Sequence, residues 1–248
     1  MKIIACYSNK GGVGKTATAV NMAYSFAANG QRTLLCDLDP QGASTFYFQV
    51  KPAKKLDVNR FLNDKERFIK SIRESDFVNL DILPANMSFR DFDIFLKDIR
   101  NSDTRIKKTL KTVKDDYDIV ILDCSPNIST LSESIFKVAD AILVPVIPTP
   151  LSQRTFVQLM KFFQEHGLDT QKIKPFFSMV QTIKALHSET IVDLVKQYPK
   201  QFLTNYIPFN SDIEKMGVYL QPVIHTSATG TAALAYQALF DELLAKLR

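Results

Sequence analysis

Short, almost continuous runs of apolar residues alternate along the chain with longer segments whose apolar residues recur every three or four positions. The short runs predict β-strands at residues 2–8, 33–36, 80–84, 117–122, 141–146 and 175–181, with a further short strand near 203–208. The longer segments predict helices at 15–29, 130–139, 152–166, 186–198 and 230–247, a broken, charged helical region over 55–75, and two helical pieces over 88–114 that divide around 101–103.

Strands that are apolar throughout, instead of alternating with polar residues, are typical of a parallel sheet covered on both faces. We therefore expect an α/β fold with a mostly parallel, twisted sheet and helices on both of its faces. No Gly/Ser-rich or Pro-rich linker and no repeat interrupts the pattern, so residues 1–248 are expected to form one domain. The first predicted strand begins at residue 2, and we expect no helix-turn-helix module before it.

The composition argues against a membrane span and a cysteine metal site, but it does not decide the function. No apolar run approaches the roughly 18 residues of a membrane helix, and we expect a cytoplasmic protein with no membrane span. Cys6, Cys36 and Cys124 form no CxxC pair, which favours buried apolar side chains over a metal site. The net charge of +5 and sequence pI near 9.0 fit either a polyanion partner or an ordinary basic surface.

Glycines are concentrated between the first predicted strand and the first predicted helix. Of eight glycines in the chain, Gly11, Gly12 and Gly14 fall within four residues. Such a loop turns its backbone N–H groups toward a phosphate, and the following helix adds its positive end. Lys15 would place a charge on the β- and γ-phosphates, and the Thr16 hydroxyl would bind Mg²⁺. The sequence thus predicts a P-loop that binds ATP and Mg²⁺.

The loop departs from the usual P-loop pattern, because Asn9 occupies the place of the first glycine and Lys10 lies inside the loop. It resembles the deviant Walker A motif of the ParA/MinD family of P-loop ATPases. The resemblance implies that Lys10 reaches across a dimer interface to the partner's nucleotide. It also implies that the loop backbone, including Val13 and the N–H of Ala17, binds phosphate.

Three further segments extend the resemblance over most of the chain, and one of them, residues 143–152, resembles the family's strand and loop after Walker B. Residues 37–42 resemble the family's switch I, which implies that Asp39 positions the attacking water and that Asp37 is a second acid in the site. Residues 119–123 resemble a Walker B strand, which implies that Asp123 holds the metal, and residues 125–126 resemble switch II. Near the end of the sheet, Pro208 and Phe209 resemble the segment that borders the adenine.

The resemblance implies a ParA-type ATPase that hydrolyses ATP to ADP and phosphate. Its ATP-dependent homodimer would bind nonspecific DNA, associate with the nucleoid, and segregate or position a plasmid, a chromosome or a protein cargo. A ParB-like or other adaptor protein would stimulate hydrolysis. The family's DNA-binding arginines have no clear equivalents, so DNA binding would depend on scattered cations that are more often a solvated surface: Lys184, Lys196, Lys200, Lys215, Lys246 and Arg248.

Two alternatives remain open at this stage. A MinD-like ATPase that cycles on membranes needs a basic amphipathic C-terminal helix, but residues 231–248 carry only Lys246 and Arg248 as basic residues. A biosynthetic or redox relative is less compatible with the loop, because a synthetase is expected to lack Lys10. A reductase is expected to carry its cluster cysteine beyond switch II, and Cys124 comes too early.

Overall fold

Seven strands form one sheet in the computed structural model, which describes residues 1–52, 55–97 and 102–247. The strand order is β3-β4-β2-β5-β1-β6-β7, and every neighbouring pair is parallel except β3 with β4. The strands are β1 Lys2–Cys6, β2 Thr33–Asp37, β3 Arg73–Glu74, β4 Leu80–Leu83, β5 Ile119–Asp123, β6 Ala141–Val146 and β7 Ile173–Phe177. The predicted mostly parallel α/β fold is confirmed.

Helices fill the connections between the strands. They are α1 Lys15–Ala28, α2 Ala43–Tyr47, α3 Val58–Asn63, α4 Lys65–Ser71, α5 Phe92–Lys97, α6 Ser102–Lys111, α7 Thr130–Val138, α8 Pro150–Glu165, α9 Ala185–Gln197, α10 Ser211–Glu214, α11 Met216–Tyr219, α12 Val223–Thr226 and α13 Thr231–Leu247. Short 3₁₀ turns lie at Met87–Asp91 and Thr170–Lys172.

Alternate side chains of the central strands enter two separate cores, one on each face of the sheet. In β1, Ile3 and Ala5 pack in one core, whereas Ile4 and Cys6 pack in the other. This alternation follows from the two-residue period of a strand, and it explains why the strand sequences are apolar throughout. Both faces are therefore covered, as the pattern predicted.

The terminal helix α13 belongs to the core. Its buried side chains include Tyr236, Leu239, Phe240 and Leu243, and the Phe240 ring meets Phe26 of α1 edge to face at 4.9 Å. Burial of each such side chain stabilises the fold by about 1.5–3 kcal/mol. The apolar face that a MinD-like membrane helix would need is thus already used inside the protein. In the described ranges, no helix combines the length and apolar character required to cross a bilayer.

Several short helices were predicted with inexact bounds or were not predicted from the sequence. The charged region 55–75 becomes α3 and α4, and the carboxylates of Asp57 and Asp64 cap their N-termini at the N–H groups of Arg60 and Arg67. The predicted helical region 88–114 contains α5 and α6, and residues 98–101 between them lie outside the described residues, so the predicted division around 101–103 stays a prediction. The helices α2, α10, α11 and α12 were not predicted.

The predicted strand near 203–208 is wrong, and its hydrogen bonds show why. The N–H groups of Leu203 and Ile207 donate to the carbonyls of Pro175 and Phe177, so the donors advance by four residues while the acceptors on β7 advance by two, which a regular ladder does not allow. Between them, the N–H groups of Thr204 and Asn205 donate to the Glu242 carboxylate of α13 at 2.8–3.0 Å. A side chain from a distant helix therefore interrupts the ladder, and only an isolated Val180–Pro208 bridge remains.

We predict that Glu242→Ala lowers the stability of the protein. The substitution leaves two backbone N–H groups and the Asn205 amide without their charged acceptor, and it should cost about 1–2 kcal/mol. That cost corresponds to a fall of roughly 2–8 °C in the melting temperature, measurable by calorimetry. The matched control is Asp241→Ala, because Asp241 is exposed and accepts one bond, from Gln237. Equal melting temperatures for the two variants would contradict the role of Glu242.

Candidate active site

The loop between β1 and α1 has the shape of a phosphate cradle. Gly12 and Gly14 have φ angles of 70° and 94°, in the left-handed region that favours glycine. A Cβ atom added at Gly11 or Gly12 would meet nothing within 4 Å, so the backbone there faces open space. The first turn of α1 contains no acidic residue, and Gly14 supplies no side-chain cap. The N–H groups of that turn are thus available to an anion.

The two lysines of the loop occupy different environments. Lys15 is buried at the start of α1, and its charge opposes the rise in pKa that burial causes at the nearby Asp123 carboxyl. Lys10 points away from that position, because its Nζ donates to the Ser152 Oγ of α8 at 2.9 Å. Ser152 in turn accepts a bond from the Thr149 hydroxyl at 3.2 Å. In the single chain, Lys10 is therefore held outside the loop by one hydrogen bond.

Two carboxylates lie side by side beneath the loop. Asp37 ends β2 and Asp123 ends β5, and the two residues are direct neighbours in the parallel register. Both side chains are buried. The Asp37 carboxylate accepts bonds from the N–H and the hydroxyl of Thr45, both at 2.7 Å. The Ser44 hydroxyl donates to Asp123 Oδ2 at 2.7 Å. The helix α2 thus joins the two acids.

Burial sets the electrostatics of this pair. Loss of hydration raises the pKa of Asp123, and the Ser44 and Thr16 hydroxyls and the charge of Lys15 oppose that rise. Burial likewise raises the pKa of Asp37, and the charge of Asp123 raises it further. Two adjacent buried anions repel each other, so a cation between or beside them would be favoured.

One oxygen of this pair supports a metal site. Asp123 Oδ1 is buried and has no hydrogen-bond partner among the described residues. Such an atom is costly unless an ion or a water satisfies it. The Thr16 hydroxyl lies close enough to affect the pKa of Asp123. A carboxylate oxygen and a hydroxyl are ligands that Mg²⁺ accepts, with nucleotide phosphates and water completing its shell. In the part of the chain described, no cluster of three acidic, His or Cys side chains forms a metal site by itself.

Asp39 lies in a turn two residues beyond the end of β2. Its carboxylate accepts the N–H of Gln41 at 2.9 Å, and its carbonyl accepts the N–H of Gly42 at 2.9 Å. Together with Ser125 and Asn127, it lines a cleft of about 540 Å³. The segments that resemble switch I and switch II therefore face the same open space.

The predicted adenine-bordering residues connect to the loop through the end of β7. Val180 bridges to Pro208, and the N–H of Phe209 donates to the Val180 carbonyl at 2.9 Å. The nearby Ser178 Oγ would lie 3.2 Å from a Cβ added at Gly14. Phe209 is more than half exposed, so its ring is accessible to a base. The adenine contacts of Pro208 and Phe209 stay predictions.

Several contributors to the site were missed from the sequence. Ser44 and Thr45 hold the two carboxylates, Ser152 holds Lys10, and Ser178 lies against Gly14. Two consecutive hydroxyl residues, two and three positions after Gly42 of switch I, could have identified Ser44 and Thr45. No local pattern identifies Ser152 or Ser178, since each is placed by the fold.

The cations predicted to bind DNA are dispersed. Lys215 is paired with Asp212 at 2.9 Å, and Lys184, Lys196 and Lys246 are exposed. Arg248 lies outside the described residues. The three cysteines are buried, which confirms their assignment as apolar side chains and leaves Cys124 unsuited to an exposed cluster.

Comparisons with known proteins identify the family of the chain. A family model described as an AAA domain matches residues 1–175. The sporulation initiation inhibitor protein Soj of Bacillus subtilis is 29% identical over 98% of both chains. The chromosome-partitioning ATPase Soj of Treponema pallidum is 26% identical over 99% of this chain and 98% of that protein. The chain belongs to the ParA/MinD family of P-loop ATPases.

Solved structures give the same result for the fold. A plasmid partition protein of Borrelia burgdorferi, solved with AMPPNP bound, superposes with a TM-score of 0.82 at 21% identity, covering 99% of this chain and 98% of that one. At this identity the likeness concerns the fold alone.

We predict that Asp123→Asn stabilises the nucleotide-free, Mg²⁺-free protein increasingly as pH rises. Because burial raises the folded-state pKa of Asp123 above its unfolded value of about 3.9, the folded state binds its proton more tightly. The stability from that proton is present at low pH and lost as pH rises through the folded pKa. The melting-temperature gap between variant and wild type should therefore widen from pH 4.5 to 7.5.

The control for this measurement is Asp76→Asn, which changes an exposed carboxylate. The gap for Asp123→Asn should widen with pH more than the gap for this control does. Equal pH dependence of the two gaps would contradict the buried, proton-retaining carboxyl.

Proposed function

We propose that this protein is a partition ATPase that hydrolyses ATP to ADP and phosphate with Mg²⁺. On binding ATP it would form a face-to-face homodimer, bind DNA without regard to sequence, and move or position a plasmid, a chromosome or a protein cargo. The observation that carries the proposal is the separation of the two loop lysines. Lys15 lies by the buried acids, whereas Lys10 is held outside its own cradle.

Each residue of the site has a role in this proposal. The backbone of residues 11–17 would bind the phosphates, and Lys15 would neutralise them. Thr16 and Asp123 would hold Mg²⁺, which when bound draws charge from the phosphate oxygens. Asp37 would hold α2 through Thr45, so that Ser44 keeps Asp123 in place. Asp39, at the mouth of the cleft, would orient the attacking water.

Two features support a second chain at the mouth. The cleft beside Asp39 is open, whereas phosphoryl transfer is favoured when water is excluded and charges are strengthened by a low dielectric. The Lys10 side chain can turn from Ser152 toward a partner chain by giving up its hydrogen bond to the Ser152 Oγ. Loss of that bond costs about 1 kcal/mol. From there it would neutralise the partner's phosphates, as a trans-acting arginine finger does.

The partners follow from the same proposal. The net charge of +5 favours a polyanion, and the proposed polyanion is nucleoid DNA in the cytoplasm. An adaptor of the ParB kind would stimulate hydrolysis and return the dimer to monomers. Curated relatives that are named for chromosome partitioning support this assignment.

We predict different losses for the two lysines. Lys15→Ala should lose ATP binding itself, because it removes a charge-assisted contact present in every nucleotide-bound state. Lys10→Ala should keep monomeric ATP affinity within a few-fold and lose dimerisation and turnover. Nucleotide titration and size-exclusion chromatography measure the two effects. Ser152→Ala is the matched control, since it frees Lys10 without removing its charge, and it should keep turnover.

A mixing experiment decides whether Lys10 acts in trans. Lys10→Ala is combined with Asp39→Ala, a chain expected to bind ATP, dimerise and fail to hydrolyse. The mixed dimer contains one site with an intact Asp39 and a lysine supplied by its partner, so turnover should reappear. If mixed dimers form and turnover stays absent, Lys10 acts in its own chain's site.

DNA binding should depend on ATP. Because nonspecific binding releases counterions from phosphates, the affinity should be independent of sequence and fall steeply with salt. Fluorescence anisotropy with a labelled duplex compares ATP, ADP and no nucleotide. Equal affinity with ADP and ATP would contradict the nucleotide switch.

A further inference from the structure

The positive charge of the chain is concentrated in one short segment. Residues 51–73 contain eight of the 31 lysines and arginines and only three of the 26 aspartates and glutamates. The remaining residues therefore carry 23 of each sign, and the segment accounts for the whole net charge of +5. Like charges in one segment repel one another, and gathering them on one surface creates a positive potential that attracts anions.

The fold brings five of these eight cations to one cleft. Lys51, Lys55, Arg67, Lys70 and Arg73, with Pro52 and Ser71, line a cleft of about 350 Å³, which we call the basic cleft. It lies between the loop after α2, the helix α4 and the edge strand β3. Charges on an edge strand commonly prevent pairing with other sheets, but that role applies to Arg73 alone. The other four cations lie on the loop and on α4.

Few acidic partners reach the basic cleft. Lys70 pairs with Glu66, and Arg73 donates to the carbonyls of Lys70 and Ile72. Within residues 1–52, 55–97 and 102–247, no carboxylate lies within 4.0 Å of a side-chain nitrogen of Lys51, Lys55, Arg67 or Arg73. Arg67 Nε is buried and has no hydrogen-bond partner in the same ranges. A buried donor without an acceptor is unfavourable, and an anion in the cleft would satisfy it.

The dispersed cations considered earlier have no such imbalance. Residues 184–248 carry six basic and six acidic side chains. They follow β7, the edge of the sheet opposite to β3. Charge density therefore favours the basic cleft over that region as the contact for a polyanion.

We propose that the basic cleft holds the phosphate backbone of duplex DNA. This inference rests on the proposed function, which names DNA as the partner, and it adds the surface of the protein that contacts the DNA. None of the residues lining the cleft is aromatic, so bases have no stacking platform and the contact would be to phosphates alone. Such a contact carries no sequence information. A dimer would present two basic clefts, which doubles the phosphate contacts and ties affinity to ATP-driven dimerisation.

The test compares two triple variants that change the net charge equally, from +5 to +2. The cleft variant is Lys51→Gln, Lys55→Gln and Lys70→Gln, all exposed residues. The control variant is Lys184→Gln, Lys196→Gln and Lys246→Gln, also exposed. Binding to a labelled duplex of arbitrary sequence is measured with ATP over a series of salt concentrations. ATP affinity and melting temperature establish that each variant is folded.

We expect the cleft variant to bind DNA at least about tenfold more weakly at about 0.1 M salt, and the control variant to bind like the wild type. Loss of three phosphate contacts should also reduce the slope of log affinity against log salt by about 2.7 per protomer. Lysine-to-arginine replacements at the same three cleft positions should restore both values, because the charges return.

The possible failures are distinguishable. Normal DNA binding by the cleft variant overturns this inference and leaves the proposed function intact. If only the control variant loses DNA binding, this inference is also overturned, the proposed function stays intact, and the DNA contact is assigned to residues 184–246. If the wild type binds no DNA with ATP, the proposed function fails together with the inference. Wild-type binding to vesicles of phosphatidylglycerol and phosphatidylethanolamine, lost in the cleft variant, would make an anionic membrane the partner and overturn the DNA assignment.

Discussion

Two buried carboxylates, Asp37 and Asp123, lie next to each other at the ends of adjacent parallel strands, and the site is organised around them. Their position follows from the fold, because β2 and β5 end at the same edge of the sheet. Burial and mutual repulsion make their ionised forms costly. The charge of Lys15 and the hydroxyls of α2 reduce that cost, and a bound cation would reduce it further.

This constraint links parts of the chain that are distant in sequence. Ser44 and Thr45 each donate a hydrogen bond to one of the carboxylates, so the acids hold α2 and the loop around Asp39 against the sheet. The loop that follows α2 leads to Pro52, and Pro52 lines both the basic cleft and the cavity beside α2. The helix that binds Asp123 through Ser44 is therefore joined by a short loop to the basic cleft.

Much of the architecture was predictable from the sequence because the central strands are apolar on both faces, as in β1 and β5. The phosphate loop was predictable because its glycines and the first residue of α1 lie within a few positions of one another in the sequence.

The features that could not be predicted depend on residues that are distant in the sequence. The Glu242 carboxylate interrupts the expected strand at 203–208, and Ser152 contacts Lys10 from 142 positions away. The concentration of charge in 51–73 was visible in the sequence, but its convergence on one cleft required the fold.

The unpartnered oxygen of Asp123 provides the most direct test of the central claim. Crystals grown with Mn²⁺ in place of Mg²⁺ and a non-hydrolysable ATP analogue would locate the metal by its anomalous scattering. The account predicts one strong peak per chain, bound on the protein side by Asp123 and the Thr16 hydroxyl and on the other side by the nucleotide phosphates. A nucleotide bound in the loop with the metal held elsewhere, and with Asp123 Oδ1 still without a partner, would contradict it.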